Sequence, residues 1–400
     1  MVVTGVGLVS ALGANRQQSW QRLLAGETGI RPLTLFPTEG YRSRTAAQVD
    51  EHRLDLVGIP APALAHASRA SRFALAAARE ALAQARLAPL PGADWAVVFG
   101  GGSAGLFEAE GFLAHRLARG PKAKGVVAFC DVPQDTPADR VALAWQLTGE
   151  RITITTACSS STIAVGLGAE LIRQGRAEVV LAGGTDALCQ LTFAGFNSLR
   201  AVDPERARPF DRRRQGLSVG EGAAVLVLER ESAAKKRGTQ ALAVVLGCGV
   251  TNDAYHMTQP EPSGEAWART LRAALADAGL APEDVGYINA HGTATEQNDP
   301  AECAAYQNVF GDRLARIPVS SVKGAIGHCL CAAGGLEAAI TVLALENGVL
   351  PPTVGCEELD PACPLDPIPG KPREKRVEVA LSSSFAFGGN SAVLALGRAA

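Results

Sequence analysis

Short apolar runs alternate with longer segments of helical spacing along the whole chain. The longer segments carry apolar residues at every third or fourth position, which predicts amphipathic helices, and the short β-branched runs predict buried strands. The predicted helices are residues 69–86, 159–173 and 265–279, and the predicted strands are residues 1–13 (a strand and a turn), 95–100, 152–158, 178–183, 243–246, 286–290 and 319–323. This alternation indicates an α/β fold whose sheets are covered on both faces.

One pattern occurs twice. Residues 220–230 and 388–398 are identical at six of eleven aligned positions, and the apolar runs 152–158 and 317–323 lie at nearly the same offset from each other. Two matches in the same order predict duplicated halves. We place the seam near the charged stretch 229–238, which predicts an N-terminal half of residues 1–242 and a C-terminal half of residues 243–400. A site between such halves would take residues from both.

Composition narrows the classes of function. The chain has 400 residues, 47% of them hydrophobic, and a net charge of −2 without a long run of one sign. It can bury a large core, and its charge indicates neither nucleic acid nor an anionic membrane as a partner. The nine cysteines lack the spacing of a small disulfide framework, so we expect a reducing cytoplasm. We expect no signal peptide and no membrane span, because no segment reaches roughly 18 uninterrupted apolar residues.

Cys158 is the most informative cysteine because of its position. It follows a β-branched run that predicts a strand and directly precedes a segment that predicts a helix with Ser and Thr at its start. The N-terminus of a helix carries partial positive charge, so we expect a lowered pKa and a thiolate available near neutral pH. A small buried hydrophobic residue is the alternative, which position alone leaves open.

Two of the six histidines follow predicted strands. His291 lies in Asn-Ala-His-Gly-Thr, and His328 ends the glycine-rich segment 323–328. The carboxyl ends of strands in α/β folds face the ligand crevice, so both are candidate functional residues. A thiol with two histidines fits a hydrolase, in which one histidine is a base. It also fits a condensing enzyme, in which both histidines donate to a thioester carbonyl that becomes an enolate, and this second role accounts for the pair.

Two further motifs match cofactor or metal sites only in part. Gly5 and Gly7 supply half of a dinucleotide fingerprint, but the third glycine is misplaced and no acidic residue follows at the usual distance. The His-Cys-Leu-Cys segment at 328–331 lacks a second pair of ligands at metal-site spacing. We therefore predict neither a cofactor nor a metal ion.

A pair of carboxylates and a glycine-rich loop complete the candidate site. Asp299 and Glu302 fit a helix N-cap followed by proline and a glutamate in the first turn. Glu302 also fits a buried ion pair with Lys323 near the histidines, and the two interpretations are compatible. Phe387 stands beside two glycines, where a bare backbone N–H could serve an oxyanion hole.

Four short segments, taken in their order along the chain, resemble the motifs of a known enzyme family. They are Thr-Ala-Cys-Ser-Ser at 156–160, Asn-Ala-His-Gly-Thr at 289–293, Val-Lys-Gly-Ala-Ile-Gly-His at 322–328 and Ser-Phe-Ala-Phe-Gly-Gly at 384–389. Together with Arg-Pro-Phe-Asp at 208–211 and Gly-Glu-Gly at 220–222, they resemble the elongating β-ketoacyl-acyl-carrier-protein synthases, over residues 2–396. The resemblance implies the thiolase-like fold: two duplicated α/β halves in a layered α-β-α-β-α arrangement.

The resemblance also implies roles for single residues. Cys158 would take the growing acyl chain as a thioester, and His291 and His328 would hold the malonyl thioester carbonyl while carbon dioxide leaves. Lys323 would organise the histidines. Phe387 would gate the acyl pocket and add its backbone N–H to that of Cys158 in an oxyanion hole. Supporting positions are implied at Glu302, Asp299 and Glu337, and acyl-pocket positions at Ser103 and Phe196.

The chain departs from the family pattern at a few positions. Ala386 stands where many relatives have glycine, and Asn390 and Ser391 replace the more usual Thr-Asn. Ser103 lies in the segment where housekeeping synthases often place a bulky aliphatic residue at the pocket floor. If Ser103 is that position, a longer or more polar pocket is expected, as in polyene or aromatic polyketide assembly.

Two related classes differ in their catalytic residues. A non-catalytic, chain-length-determining partner of such synthases typically lacks the nucleophilic cysteine, and a degradative thiolase has a second catalytic cysteine in its C-terminal half. Cys158, His291, His328 and Lys323 are all present here, which favours the synthase.

The resemblance implies partners as well: acyl carrier protein loaded with acyl or malonyl groups, and a homodimer or a heterodimer with a paralogous chain-length subunit. The carrier protein is acidic, so we expect basic residues near the pocket to contact it. The candidates are Arg69, Arg72, Arg116, Lys122, Lys124, Arg206, Arg212, Arg213 and Arg214.

Overall fold

Strands and helices alternate as predicted in the computed structural model, which describes residues 1–122 and 124–399. Ala123 and Ala400, which fall within the two predicted halves, lie outside the described residues. The strands are β1 (Val2–Val9), β2 (Ile30–Pro32), β3 (Thr45–Ala47), β4 (Ala96–Gly101), β5 (Arg151–Ile154), β6 (Val179–Asp186), β7 (Gly222–Glu229), β8 (Ala243–Asn252), β9 (Tyr287–Asn289), β10 (Val319–Ser320), β11 (Val349–Leu350), β12 (Arg373–Glu374), β13 (Val379–Phe385) and β14 (Asn390–Arg398). The α-helices are α1 (Arg16–Leu24), α2 (Ala61–Leu64), α3 (Arg69–Ala85), α4 (Leu106–Arg119), α5 (Thr136–Trp145), α6 (Ser160–Arg173), α7 (Gln190–Ser198), α8 (Glu231–Lys236), α9 (Glu265–Ala278), α10 (Asn298–Phe310), α11 (Lys323–Ile326) and α12 (Ala333–Asn347).

Ten strands form one sheet in the order β10-β9-β13-β14-β8-β1-β7-β6-β4-β5. In one half of this sheet β5, β4 and β6 are parallel, and β7 and β1 follow antiparallel. In the other half β10, β9 and β13 are parallel, and β14 and β8 follow antiparallel. The two half-sheets share one order and one set of directions, and the repeated sequence lies on the equivalent strands β7 and β14. The predicted duplication is confirmed.

The half-sheets meet through a short pairing of β1 with β8, in which Val2 lies opposite Val244 and Val3 opposite Ala243. Val245 still donates its N–H to the Met1 carbonyl at 2.8 Å, and the rest of β8 pairs with β14. The new half-sheet begins with β8 at Ala243. This start supports the division into residues 1–242 and 243–400, which we keep as our proposal.

Helices cover the half-sheets in layers. α6 and α12 lie between the half-sheets, where α12 packs against β6 and β7 on one side and β13 and β14 on the other. α3 and α5 cover the outer face of the N-terminal half-sheet. α9 covers that of the C-terminal half-sheet, and α10 packs against α9 in the same apolar cluster. The core accordingly has a central cluster and two outer clusters of buried apolar side chains. The predicted α-β-α-β-α arrangement is confirmed.

The central helix is unusually apolar. Residues Leu330–Asn347 have a mean hydropathy of 1.3 and are long enough to cross a membrane, and 89% of them are buried within the molecule. A core helix of a large fold has this same composition. Among the described helices, no other is both long and apolar enough for a span.

Two predicted strands are shorter than expected. The run 152–158 is a strand only to Ile154, because the chain turns at Ala157, which has a left-handed φ of 51°. The run 319–323 is a strand only to Ser320, because α11 begins at Lys323. Cys158 and Lys323 therefore lie just beyond the ends of β5 and β10.

Candidate active site

Cys158 sits in the tight turn between β5 and α6. Ala157 adopts the left-handed conformation, which side chains rarely take and which costs about 1–3 kcal/mol. The turn is held by Ser160, whose hydroxyl donates to the Ala157 carbonyl at 2.6 Å and accepts the Thr156 N–H at 2.9 Å. The thiol is therefore fixed at the N-terminus of α6, with 8% of the residue exposed.

The structure brings both candidate histidines to this thiol. His291 follows β9, and His328 follows α11, so both come from the C-terminal half. The Cys158 sulfur and one ring nitrogen of each histidine lie within 4.8 Å of one another. The ring centroids are 5.3 Å apart and the ring planes are nearly perpendicular, at 88°. One atom bound near the sulfur could thus face both rings.

Hydrogen bonds behind the rings determine which nitrogen carries the proton. The backbone N–H of Leu330 donates to Nδ1 of His328 at 3.1 Å. The Lys323 ammonium lies 3.3 Å from Nδ1 of His291 and donates to the His291 carbonyl at 2.5 Å. Because both Nδ1 atoms accept, the ring protons lie on Nε2. Burial, with the positive charge of Lys323, holds the pKa of both histidines well below the usual 6.5, so both rings are neutral N–H donors.

The same three residues are close enough together to hold a metal ion. A histidine that binds a metal through one nitrogen usually donates a hydrogen bond from the other. Here the other nitrogen of each ring accepts a hydrogen bond from Leu330 or Lys323. The ring pair is therefore arranged to donate hydrogen bonds to an oxygen atom, and its tautomers do not suit a metal.

The pKa of the thiol differs from our expectation. Burial raises the pKa of Cys158 to about 11, and the charge of Lys323 and the backbone N–H of Phe387 offset this only in part. The expected lowering is wrong, because loss of hydration outweighs the helix N-terminus at this buried position. The backbone N–H groups of Phe387 and Cys158 both lie close to the sulfur.

Lys323 pairs with Glu337 rather than with the predicted Glu302. The ammonium forms a fully buried ion pair with Glu337 of α12, a helix that faces the site from the central layer. Glu302 instead accepts the backbone N–H groups of His291 and Gly292, each at 2.7 Å, and so positions the histidine loop. The predicted ion pair is wrong, because backbone donors occupy the Glu302 carboxylate. Burial raises the pKa of both carboxyls to about 7.

Asp299 is not a helix N-cap. α10 begins one residue earlier, at Asn298, and Gln297 precedes it without a capping side-chain bond. The buried Asp299 carboxylate accepts the N–H groups of Phe210 at 2.8 Å and Ala294 at 3.1 Å. It thereby joins the loop after His291 to the loop at Phe210.

A cavity of about 450 Å³ leads to the thiol. Phe196 and Phe387 both line it, with ring centroids 6.0 Å apart. Ala386 has an ordinary extended backbone, with φ at −117°. Alanine in place of the glycine of many relatives therefore adds no backbone strain at this position. Gly388 and Gly389 have a φ of 77°, which favours glycine, so the unusual conformations of this loop lie after Phe387.

Ser103 lies elsewhere. It is not among the described residues that line the cavity. Its buried hydroxyl lies within hydrogen-bond distance of two acceptors, the Asp186 carboxylate and, at 2.8 Å, the Ala187 carbonyl, and it accepts the Ala187 N–H at 3.2 Å. The hydroxyl is therefore satisfied inside the protein, and the expectation that Ser103 forms the pocket floor is not supported by its contacts.

Two of the predicted basic contacts are buried. Arg69 is 3% exposed and pairs with Glu221, and Arg214 is 9% exposed and pairs with Asp360. Neither guanidinium is free to meet a carrier protein. Sequence could not reveal this, because each ion pair joins segments that are distant in the chain.

Several cavity residues were not predicted. Thr293 ends the Asn-Ala-His-Gly-Thr motif and Thr295 lies two residues beyond it, so the motif was an available signal for both. Trp267, which stacks on Phe385 with centroids 4.2 Å apart, lies in a helix that reads as ordinary core. Arg42 and Arg200 lie at the cavity through loop geometry that sequence does not reveal. Thr293, Thr295, Trp267, Arg42 and Arg200 are among the cavity-lining residues that were not predicted.

The fold and the thiol-histidine site together define the class of the protein, and comparison with known families agrees. The family model described as β-ketoacyl synthase, N-terminal domain, matches residues 1–234, and that described as β-ketoacyl synthase, C-terminal domain, matches residues 242–357. The chain therefore belongs to the β-ketoacyl synthase family, as its motifs predicted.

Individual relatives agree over the full length. The 3-oxoacyl-[acyl-carrier-protein] synthase 2 of Coxiella burnetii is 37% identical, covering 100% of this chain and 98% of the relative. The tetracenomycin polyketide synthase ketoacyl synthase alpha subunit of Streptomyces glaucescens is 40% identical, covering 99% of this chain and 96% of the relative. A solved structure described as the ishigamide ketosynthase/chain length factor has a TM-score of 0.94 and 37% identity, covering 100% of this chain and 99% of its own. The chain is an elongating-type ketosynthase.

Proposed function

We propose that this enzyme condenses malonyl-acyl-carrier-protein with an acyl chain held on Cys158, with loss of carbon dioxide. One observation carries the proposal: two neutral ring N–H donors and two backbone N–H donors converge on a single buried thiol. A hydrolase needs one histidine as a base, whereas two donors suit an enolate oxygen.

The first step loads the enzyme. The Cys158 sulfur attacks the thioester carbonyl of the acyl carrier protein, and the oxyanion that forms is held by the N–H groups of Cys158 and Phe387. The carbon–sulfur bond to the carrier breaks, and the proton of the thiol leaves with the carrier sulfur. Because the pKa of Cys158 is raised, thiolate forms within the substrate complex rather than in the resting enzyme.

The second step forms the carbon–carbon bond. The bond from the malonyl carbon to its carboxylate breaks, carbon dioxide leaves, and the electron pair forms an enolate whose oxygen accepts from Nε2 of His291 and His328. Such donors are worth several kcal/mol of barrier, about 3–4 for one oxyanion contact. The enolate carbon attacks the acyl carbonyl and expels Cys158 as a thiolate, which takes a proton from solvent. The product is a 3-oxoacyl chain two carbons longer on the carrier.

The surrounding residues position these groups. Lys323, neutralised by Glu337, holds the His291 tautomer, and Glu302 holds the His291 backbone. Asp299 fixes the loop that follows. Phe387 gates the acyl chain, with Phe196 beside it in the pocket.

Acyl carrier protein is the proposed partner, and a second ketosynthase-like subunit, either a copy or a chain-length paralogue, is the proposed companion. Apolar side chains on α4 and the turn after it support a subunit interface: Leu117 is 86% exposed and Val126 69% exposed. All nine cysteines are free, which supports a reducing cytoplasm.

The test is reconstitution with acyl- and malonyl-loaded carrier protein. We expect carbon dioxide and a 3-oxoacyl carrier two carbons longer, no product from Cys158→Ala, and normal product from Cys130→Ala, which removes an exposed cysteine. Absence of product from the wild-type chain, with condensation restored only by adding an active paralogue, would identify the chain as the non-catalytic partner instead.

The same assay distinguishes the pathways. Saturated and polyunsaturated acyl carriers compete in one reaction, and preference for polyunsaturated chains indicates specialised polyketide or polyene assembly. Clear preference for saturated chains indicates fatty acid synthesis.

A further inference from the structure

A buried ion pair outside the reacting groups is joined to His328 through the backbone. Arg69 and Glu221 are 3% and 0% exposed, and the guanidinium binds both carboxylate oxygens, at 2.8 Å from Nε and 2.6 Å from Nη2. Such two-point contacts define the relative position of both partners. Neither residue lines the cavity in the described structure.

Glu221 ends a short extended segment, residues 218–221, that holds the backbone of His328. His328 donates its N–H to the Ser218 carbonyl at 2.7 Å, and its carbonyl accepts the Gly220 N–H at 2.9 Å. The Cys329 thiol donates to the Glu221 carbonyl at 3.4 Å. The position of His328 therefore depends on the position of this segment.

The Glu221 side chain ties the segment to its surroundings. Besides Arg69, its carboxylate accepts the N–H of Val49 at 2.8 Å and of Leu188 at 2.9 Å. Arg69 also donates to the Val49 carbonyl. Four parts of the N-terminal half thus meet at one carboxylate: the start of α3, the segment after β3, the segment after β6 and the start of β7.

We infer that the Arg69–Glu221 pair is a positioning device that sets His328, and through it the enolate-binding donors, from the N-terminal half. The inference rests on the proposed function, since it concerns the decarboxylation step. Near-attack geometry is sensitive to displacement: an error of about 1 Å can cost on the order of 100-fold in rate. Within the described structure, no hydrogen bond joins residues 218–221 to Cys158 or Phe387, so we expect the oxyanion donors there to keep their positions.

The experiment isolates the histidines by using Cys158→Gln as the parent, which cannot be acylated. Decarboxylation of malonyl-acyl-carrier-protein is measured with and without Glu221→Gln. We expect Glu221→Gln to lower kcat about 10- to 100-fold with KM unchanged. The matched control is Glu229→Gln, which breaks an ion pair, 2.7 Å long, between the buried Glu229 and the partly exposed Arg237 at the far end of β7. It should reduce thermal stability and leave kcat close to that of the parent.

A second variant separates positioning from folding. Arg69→Met with Glu221→Gln removes both charges, so no charge is left buried alone, and we expect the unfolding midpoint to recover while kcat stays low. If kcat recovers with stability, or if Glu229→Gln lowers kcat as much as Glu221→Gln does, the pair is merely structural and the inference is wrong. If the Cys158→Gln parent does not decarboxylate at all, the proposed function fails and the inference falls with it.

Discussion

Replacing Lys323 with methionine tests the electrostatics of the site. The substitution keeps the buried chain and removes the ammonium, leaving Glu337 without its cation in a fully buried position. Breaking a buried pair in this way costs about 3–5 kcal/mol when the surviving group stays charged. Burial already raises the pKa of Glu337 to about 7 with Lys323 beside it, so without Lys323 it rises further.

This sets the direction of the pH dependence. A carboxyl whose pKa is raised by folding stabilises the protein at low pH, and that stabilisation is lost as the pH rises through the folded pKa. At pH 6 Glu337 is largely protonated in both proteins, so the variant loses little free energy of unfolding relative to the wild type. Above pH 7 Glu337 ionises beside a cation only in the wild type. The difference in free energy of unfolding between wild type and variant therefore grows by about 1.4 kcal/mol for each pH unit. At pH 8.5 the loss should therefore exceed that at pH 6 by about 2 kcal/mol.

Urea unfolding at pH 6 and pH 8.5, at one protein concentration, measures this difference. Lys323→Met with Glu337→Gln should remove most of the added pH dependence, because the carboxyl paired with Lys323 no longer titrates. A smaller response remains from Glu302 and the two histidines, since the charge of Lys323 also shifts their pKa. An equal loss at both pH values, or an added pH dependence as large in the double variant as in Lys323→Met alone, would refute the assignment of Glu337 as the partner of Lys323.

Three further outcomes follow from the site. Iodoacetamide should label Cys158 with a rate that rises about tenfold per pH unit through pH 9, because its pKa is raised to about 11; a plateau by pH 7 would indicate a lowered pKa. Cys158→Gln should abolish condensation while raising malonyl decarboxylation, measured as carbon dioxide release, and loss of both would contradict a separate role for the histidines. Phe196→Ala, which removes a ring 6.0 Å from Phe387, should raise kcat/KM for longer acyl chains relative to shorter ones in a competition assay, and an unchanged ratio would place the acyl chain elsewhere.

The parts of the fold that sequence predicted are those with a local signal. The repeat at β7 and β14 was visible because equivalent strands kept similar residues, and the structure gives both halves one strand order. Cys158, His291 and His328 were visible because each stands in a distinctive motif beside a predicted strand. The structure brings these three together within 4.8 Å.

The predictions that were wrong concern properties that depend on how distant segments pack together. Lys323 pairs with Glu337 because α12 lies between the half-sheets, a fact that no local pattern contains. From the sequence, Arg69 was predicted to lie on the surface. It is buried, where it forms an ion pair with Glu221 from a distant segment of the chain. The pKa of Cys158 followed burial rather than helix position, since a helix N-terminus can be recognised in sequence and the loss of hydration around it cannot.

The central claim is that the buried thiol carries the acyl chain. Mass spectrometry of the protein after incubation with acyl-loaded carrier protein tests it most directly. The account predicts one added acyl group, on the peptide that contains Cys158, and none on Cys158→Ala. An adduct on any of the other eight cysteines, or an unmodified Cys158 while the product still forms, would contradict it.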